Sequence, residues 1–356
     1  MFPKTMRRQF VWRLACCGLH VAVLCLGSQV ALGQITLMPL SAAPDPSQDD
    51  DLGQVQTPAV LTPVPAPVVV DPFAGYGYNP GAGGYGSGLI SANGDPFAQA
   101  WYDTGWHWQM FPHGSMYPAY LASQRESRLS TIFFSERKQG GLVDPTIGAR
   151  IGLLRLGTED LMRPDGFQID AEAAAFPRLT LNDAREYVST DFRAGVPLTF
   201  RRGAVEMKLA YYHYCSHLGD MYIEDHPGVT RSPYTRDAVV LGLGLRPRED
   251  FRIYAEADYA FYTFGNARPW QFQFGVDWST LQMTGLRGSP FFALNSMIRQ
   301  DVNYSGNLTV QTGWQWRGQS GQLLRTGFNY FNGKSNQGQF FNRFEEQIGM
   351  GVWYDF

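Results

Sequence analysis

Cysteine is scarce in this chain. Cys16, Cys17 and Cys25 crowd the first residues and Cys215 stands alone thereafter, so once the N-terminal stretch is removed no intrachain disulfide can staple the fold. Charged residues make up 17% of the sequence, below the usual quarter. Lys and Arg form no basic patch, which sets nucleic acid aside as a partner. Beyond the N-terminus there is no apolar run of about 18 residues, which excludes an ordinary membrane helix there. Any membrane-spanning part must then be a closed β-barrel, because lipid offers no water to satisfy an open strand edge.

What the chain does have begins with its first 33 residues. Lys4, Arg7, Arg8 and Arg13 are followed by an apolar stretch from about Leu14 to Leu26 and then by Ala31-Leu32-Gly33 before Gln34, which reads as a secretory signal peptide over 1–33 cleaved after Gly33. Its removal leaves 25 basic against 32 acidic residues, a net charge of -7. Residues 34–97 hold ten prolines, six aspartates and no Lys or Arg. Such a stretch cannot build a core and reads as a disordered linker, polyproline-like near Thr62–Pro67 and flexible from Gly75 to Gly88, with a possible role in touching the cell wall. Gly81, Gly83 and Gly86 match a nucleotide-binding spacing, but no helix pattern follows, so the match is accidental. Residues 98–127 form an aromatic-rich segment before the main domain.

From Arg128 onward the sequence breaks into alternating segments of about ten residues, the period of tilted transmembrane strands. Val205, Met207, Leu209 and Tyr211 oppose Glu206 and Lys208, and Trp270, Phe272, Phe274, Val276 and Trp278 oppose Gln271, Gln273 and Asp277. Strands are expected near 129, 147, 167, 190, 205, 238, 251, 270, 291, 308, 323 and 348. The expected fold is all-β, an up-and-down antiparallel barrel of about 12 strands over 128–356. With the last strand ending in the periplasm, the turns at 201–203, 246–249 and 318–321 fall inside and the long connections 216–235 and 331–346 fall outside. Thr280 to Ser289 is long for a periplasmic turn. Trp270, Trp278, Trp314, Trp316 and Tyr354 suit an interfacial belt.

The final strand carries Val352, Tyr354 and Phe356 on one face and Trp353 and Asp355 on the other. It resembles the C-terminal signal of bacterial outer-membrane barrels, which implies recognition by the barrel-insertion machinery. The polar faces of the strands place Asp170, Glu172, Glu206, Lys208, Arg252, Glu256, Asp258, Asp277 and Arg325 in the lumen, where they line a pore or pair to fill a narrow barrel. His213-Tyr214-Cys215-Ser216-His217 ends the fifth strand, and its plain reading is a rim of side chains meeting lipid headgroups. It also bears a weak resemblance to the His-x-Ser of outer-membrane lipid hydrolases, with Cys215 at the nucleophile's spacing and Ser216 on the opposite face unless a bulge turns it. Asp220, Glu224, Asp225 and His226 offer oxygen ligands of the kind Ca²⁺ takes, but a solvated acidic loop explains them equally well, and no metal and no cofactor is expected.

The runs His217-Leu218-Gly219-Asp220, Tyr234-Thr235-Arg236-Asp237, Val240-Leu241-Gly242, Pro269-Trp270-Gln271-Phe272-Gln273-Phe274-Gly275, Gly313-Trp314-Gln315-Trp316-Arg317-Gly318 and Gly351-Val352-Trp353-Tyr354-Asp355-Phe356 are similar to a bacterial group described as domain-of-unknown-function family 1207. The resemblance covers roughly Trp101 to the end and implies an outer-membrane barrel without an assigned activity. The sequence therefore points to an exported outer-membrane protein in contact with lipid, either a small pore or a structural barrel, with a lipid-modifying hydrolase using His213 as the alternative.

Overall fold

The computed structural model describes residues 105–181 and 186–356. The signal peptide over 1–33, the linker over 34–97 and the Gly81–Gly86 motif lie outside them. Among the described residues there are thirteen strands: β1 (His107–Met110), β2 (Leu129–Glu136), β3 (Gly140–Gly157), β4 (Gly166–Thr180), β5 (Tyr187–Arg202), β6 (Val205–Leu218), β7 (Tyr234–Arg248), β8 (Phe251–Gly265), β9 (Trp270–Ser279), β10 (Ser289–Arg299), β11 (Ser305–Arg317), β12 (Leu323–Lys334) and β13 (Phe344–Asp355). Each of β2 to β13 pairs antiparallel with its sequence neighbour, and β13 pairs back onto β2, so twelve strands close an up-and-down barrel.

The barrel is inverted relative to a soluble fold. On β7 the outward residues Val239, Leu241, Leu243 and Leu245 are each more than 40% exposed, while the inward Arg236 is 3% exposed. Water would penalise such a continuous apolar outer face and lipid favours it. The interior holds the charge instead: Arg128, Arg155, Arg178, Arg201, Arg252, Arg299 and Arg325 are among the largest fully buried side chains. This is a membrane-spanning barrel of the outer-membrane type.

β1 is a thirteenth strand that the sequence pattern does not announce. It pairs with Leu154–Gly157 on the edge of β3 whose other half, Gly140–Ile147, pairs with β2. Together β1 and β2 read as one broken strand. Phe111 N–H still donates to Leu153 O at 3.1 Å, and the chain between there and Leu129 leaves the sheet and turns into the lumen.

At the rim that holds the C terminus the connections are 158–165, 203–204, 249–250, 280–288 and 318–322. They are not uniformly tight. The long 280–288 connection is nonetheless clasped, because the Trp314 and Trp316 indoles donate to Arg287 O (2.8 Å) and Leu286 O (3.0 Å) and the Arg317 guanidinium donates to Thr280 O (2.7 Å). In the 249–250 turn, the Trp278 indole N–H donates to Asp250 at 2.9 Å and, with Arg248, holds its carboxyl below the usual carboxylate range. The opposite rim carries the long connection 219–233, with the short helix α1 (Asp220–Asp225), and the connection 335–343.

Candidate functional site

Two regions concentrate polar chemistry, the lumen and the outward face of β6 and β7. In the lumen the segment between β1 and β2 is held mainly through its backbone. A chain without secondary structure leaves its carbonyls unpaired, and burial of each without a partner is costly. The wall supplies the donors. The guanidinium of Arg155 donates to His113 O (2.7 Å) and Gly114 O (2.9 Å), Arg150 to Tyr117 O (2.7 Å), and Arg252 to Pro118 O (2.9 Å). Arg128 donates to Tyr120 O (2.6 Å) and Leu121 O (3.0 Å), and Arg325 reaches Leu121 O at 3.2 Å. Leu121 N–H in turn donates to Asp277 at 3.3 Å.

Side chains complete the fit. Tyr120 stacks on Tyr254 with ring centroids 3.9 Å apart, its hydroxyl meets that of Tyr117 at 2.7 Å, and it donates to Glu256 at 3.0 Å. Lys208 pairs with Glu256 at 2.6 Å and sits over both tyrosine rings. A side chain at Gly242 would bring its Cβ within 2.8 Å of the Tyr117 hydroxyl, and one at Gly152 within 2.9 Å of Pro112 O. Those two wall positions are glycine because the inserted segment occupies the space.

The charged residues named from the sequence all lie inside. Arg252 bridges Glu206 (2.8 Å) and Asp277 (3.6 Å), and Arg246 takes the second oxygen of Glu206 at 2.6 Å. Asp170 pairs with Arg150 at 2.5 Å, Glu172 with Arg193 at 2.5 Å, and Asp258 with Arg236 at 2.9 Å. Arg325 meets Asp355 of the closing strand at 2.8 Å, and Arg128 takes the other oxygen at 2.9 Å. A cavity bounded by Ser123, Arg125, Asp144 and Trp353 measures about 30 Å³, room for roughly two waters.

Val352 and Tyr354 lie outward on β13, Phe356 directly after its end is exposed, and Trp353 is 1% exposed within. On β6 the pairing with β5 and β7 runs without a register shift from Val205 through Cys215, so period two holds. His213, Cys215 and His217 therefore face outward. Ser216 faces inward, where it and Tyr214 donate to Asp191, which also accepts Gly338 N–H at 2.9 Å. No bulge turns Ser216 toward His213, which removes it as that residue's nucleophile; the regular ladder on both sides is the reason. His213 Nδ1 lies 2.7 Å from Asp237 on the adjacent strand, and the Tyr211 hydroxyl donates to the same oxygen at 2.8 Å.

The acidic loop does not converge on a point. Asp220 pairs with Arg231, and His226 stacks on Tyr222 at 4.2 Å. Among the described residues no group of three or more His, Cys, Asp or Glu is placed to hold a metal ion.

Sequence reasoning missed both Asp237 and the lumen segment. Inward glycines opposite an aromatic-rich stretch were the available signal for the second.

Solved structures of similar fold include the outer membrane phospholipase A of Escherichia coli, at 11% identity with a TM-score of 0.44, covering 67% of this chain and 98% of that one. The calcium-bound outer membrane phospholipase dimer of Salmonella typhi has 11% identity and a TM-score of 0.43, over 67% and 92%. The KdgM porin has 10% identity and a TM-score of 0.35, over 64% and 99%. No curated protein matches the chain. The family described as protein of unknown function DUF1207 matches residues 103–356, and the chain belongs to that family.

Proposed function

We propose that the protein is a structural outer-membrane barrel sealed by its own segment between Met110 and Leu129, and not an open diffusion pore. The observation that carries this is the set of wall arginines bonded to the segment's carbonyls, from Arg155 on His113 to Arg325 on Leu121. A pore needs a water-filled path, whereas here aromatic rings and paired charges meet across the lumen. In this reading the barrel anchors residues 34–97, whose task is contact with the cell wall, and Val352, Tyr354 and Phe356 direct assembly into the membrane.

The test is planar-bilayer recording of refolded wild-type protein whose folding is verified by the mobility difference between heated and unheated samples. No conductance steps are expected, and steady ohmic steps overturn the reading. A lipid-modifying hydrolase is the second reading, supported by the hydrogen bond between His213 and Asp237.

A further inference from the structure

The outward faces of β6 and β7 are apolar from the C-terminal rim upward and change character at one level. On β6 Val205, Met207, Leu209 and Tyr211 give way to His213 and Cys215. On β7 Leu245, Leu243, Leu241 and Val239 give way to Asp237 and Thr235. The ladder sets His213 opposite Asp237 and Cys215 opposite Thr235. A tilted strand crosses the hydrocarbon in about 9–11 residues. Counted from Val205, His213 and Cys215 reach the far boundary of the hydrocarbon, the depth at which the ester bonds of acyl chains lie.

At that boundary a His–carboxylate pair on the outer face of the barrel carries little cost. The pair is built with care: Asp237 lies 2.7 Å from His213 Nδ1, and Tyr211 braces the same carboxylate oxygen at 2.8 Å. That bond puts the imidazole proton on Nδ1 and leaves Nε2 as the basic atom. Cys215 is the next outward side chain on the same strand, about 6.6 Å along it, a separation that an imidazole and a thiol extending toward each other can close.

We propose that Cys215, His213 and Asp237 are the nucleophile, general base and positioning residue of an acyl transfer from a lipid ester at the membrane surface. The inference rests on the hydrolase reading and leaves the sealed lumen unchanged. His213 Nε2 takes the Cys215 proton and the thiolate attacks the ester carbonyl carbon. The carbonyl–oxygen bond to the lipid alcohol breaks, His213 returns the proton to that oxygen, and the deacylated lipid leaves with the acyl group held as a thioester on Cys215. Water, deprotonated by His213, then attacks the thioester, releasing a fatty acid and the restored thiol. No oxidant or metal is required.

The test uses full-length protein, processed by the cell and refolded into vesicles, with one arm of phosphatidylethanolamine and phosphatidylglycerol and a second containing lipid A, because both sources present acyl esters. Intact mass should show one acyl addition on wild type that neutral hydroxylamine removes, with fatty acid released in at least one arm. His213→Ala should slow both by about 10²-fold or more, and Cys215→Ala should abolish both. For Asp237 the readout is the pH profile of Cys215 alkylation by iodoacetamide. The wild-type profile should differ from those of Asp237→Asn and His213→Ala. Unheated-gel mobility confirms that each variant is folded. Fatty acid release that survives Cys215→Ala overturns the nucleophile and leaves the hydrolase reading standing. Absence of both adduct and release from folded wild type in both arms overturns the two together. An identical alkylation profile in wild type and Asp237→Asn overturns the positioning role.

Discussion

Asp355 on the closing strand offers the sharpest test of how the lumen is held. Its two oxygens neutralise Arg128 at 2.9 Å and Arg325 at 2.8 Å, both guanidiniums being 2% exposed or less. The same two arginines donate to Leu121 O in the inserted segment, and the Arg325 guanidinium lies 5.0 Å and 5.1 Å from the Phe291 and Trp353 ring centroids. Asp355→Ala leaves two buried cations without their shared anion. Breaking one buried pair costs about 3–5 kcal/mol, and at 1.4 kcal/mol per tenfold the unfolded-to-folded ratio should rise by roughly 10²- to 10³-fold or more.

Asp355→Asn keeps an acceptor oxygen and should cost less. The double variant Asp355→Ala/Arg325→Met should lose less than the sum of its parts, because each single change strands the other's charge. The assay is urea unfolding in lipid vesicles followed by Trp fluorescence and by unheated-gel mobility. A loss below about 1 kcal/mol for Asp355→Ala, or strict additivity in the double variant, would refute the claim that one carboxylate compensates two guanidiniums.

Two further outcomes follow from the outer surface. Deleting Phe356 should leave secretion intact and cut insertion, since Phe356 and Tyr354 project outward with ring centroids 5.4 Å apart; wild-type levels of heat-modifiable protein in the outer membrane would show that the terminal ring is not read. Met221, 69% exposed on α1, fixes orientation: Met221→Cys in a Cys215→Ala background should react with an impermeant thiol reagent on intact cells. Reaction only after lysis would invert the barrel and place the His213 level in the inner leaflet.

The twelve barrel strands were legible in the sequence because inside and outside alternate residue by residue, a property each ten-residue segment carries by itself. Inward placement of Glu206 or Arg252 follows from the same alternation, as does the separation of Ser216 from Cys215. The choice between a lined and a filled lumen was not local. Arg252 reaches Pro118 across 134 residues and Arg325 reaches Leu121 across 204, and no periodicity encodes which carbonyl a guanidinium will meet. β1 was hidden because four residues are too few to display alternation, and they become a strand only where β3 extends past the start of β2. Asp237 belongs to the same class. The sequence displays His213 and Cys215 together, but the carboxylate partner of His213 lies 24 residues on and is brought to it by the register of β7 on β6. Side-chain alternation is set within a strand, and register is set by the turn and the closed ring of twelve strands, so the chain alone determined the barrel and only its closure decided what fills it and which groups meet on its lipid face.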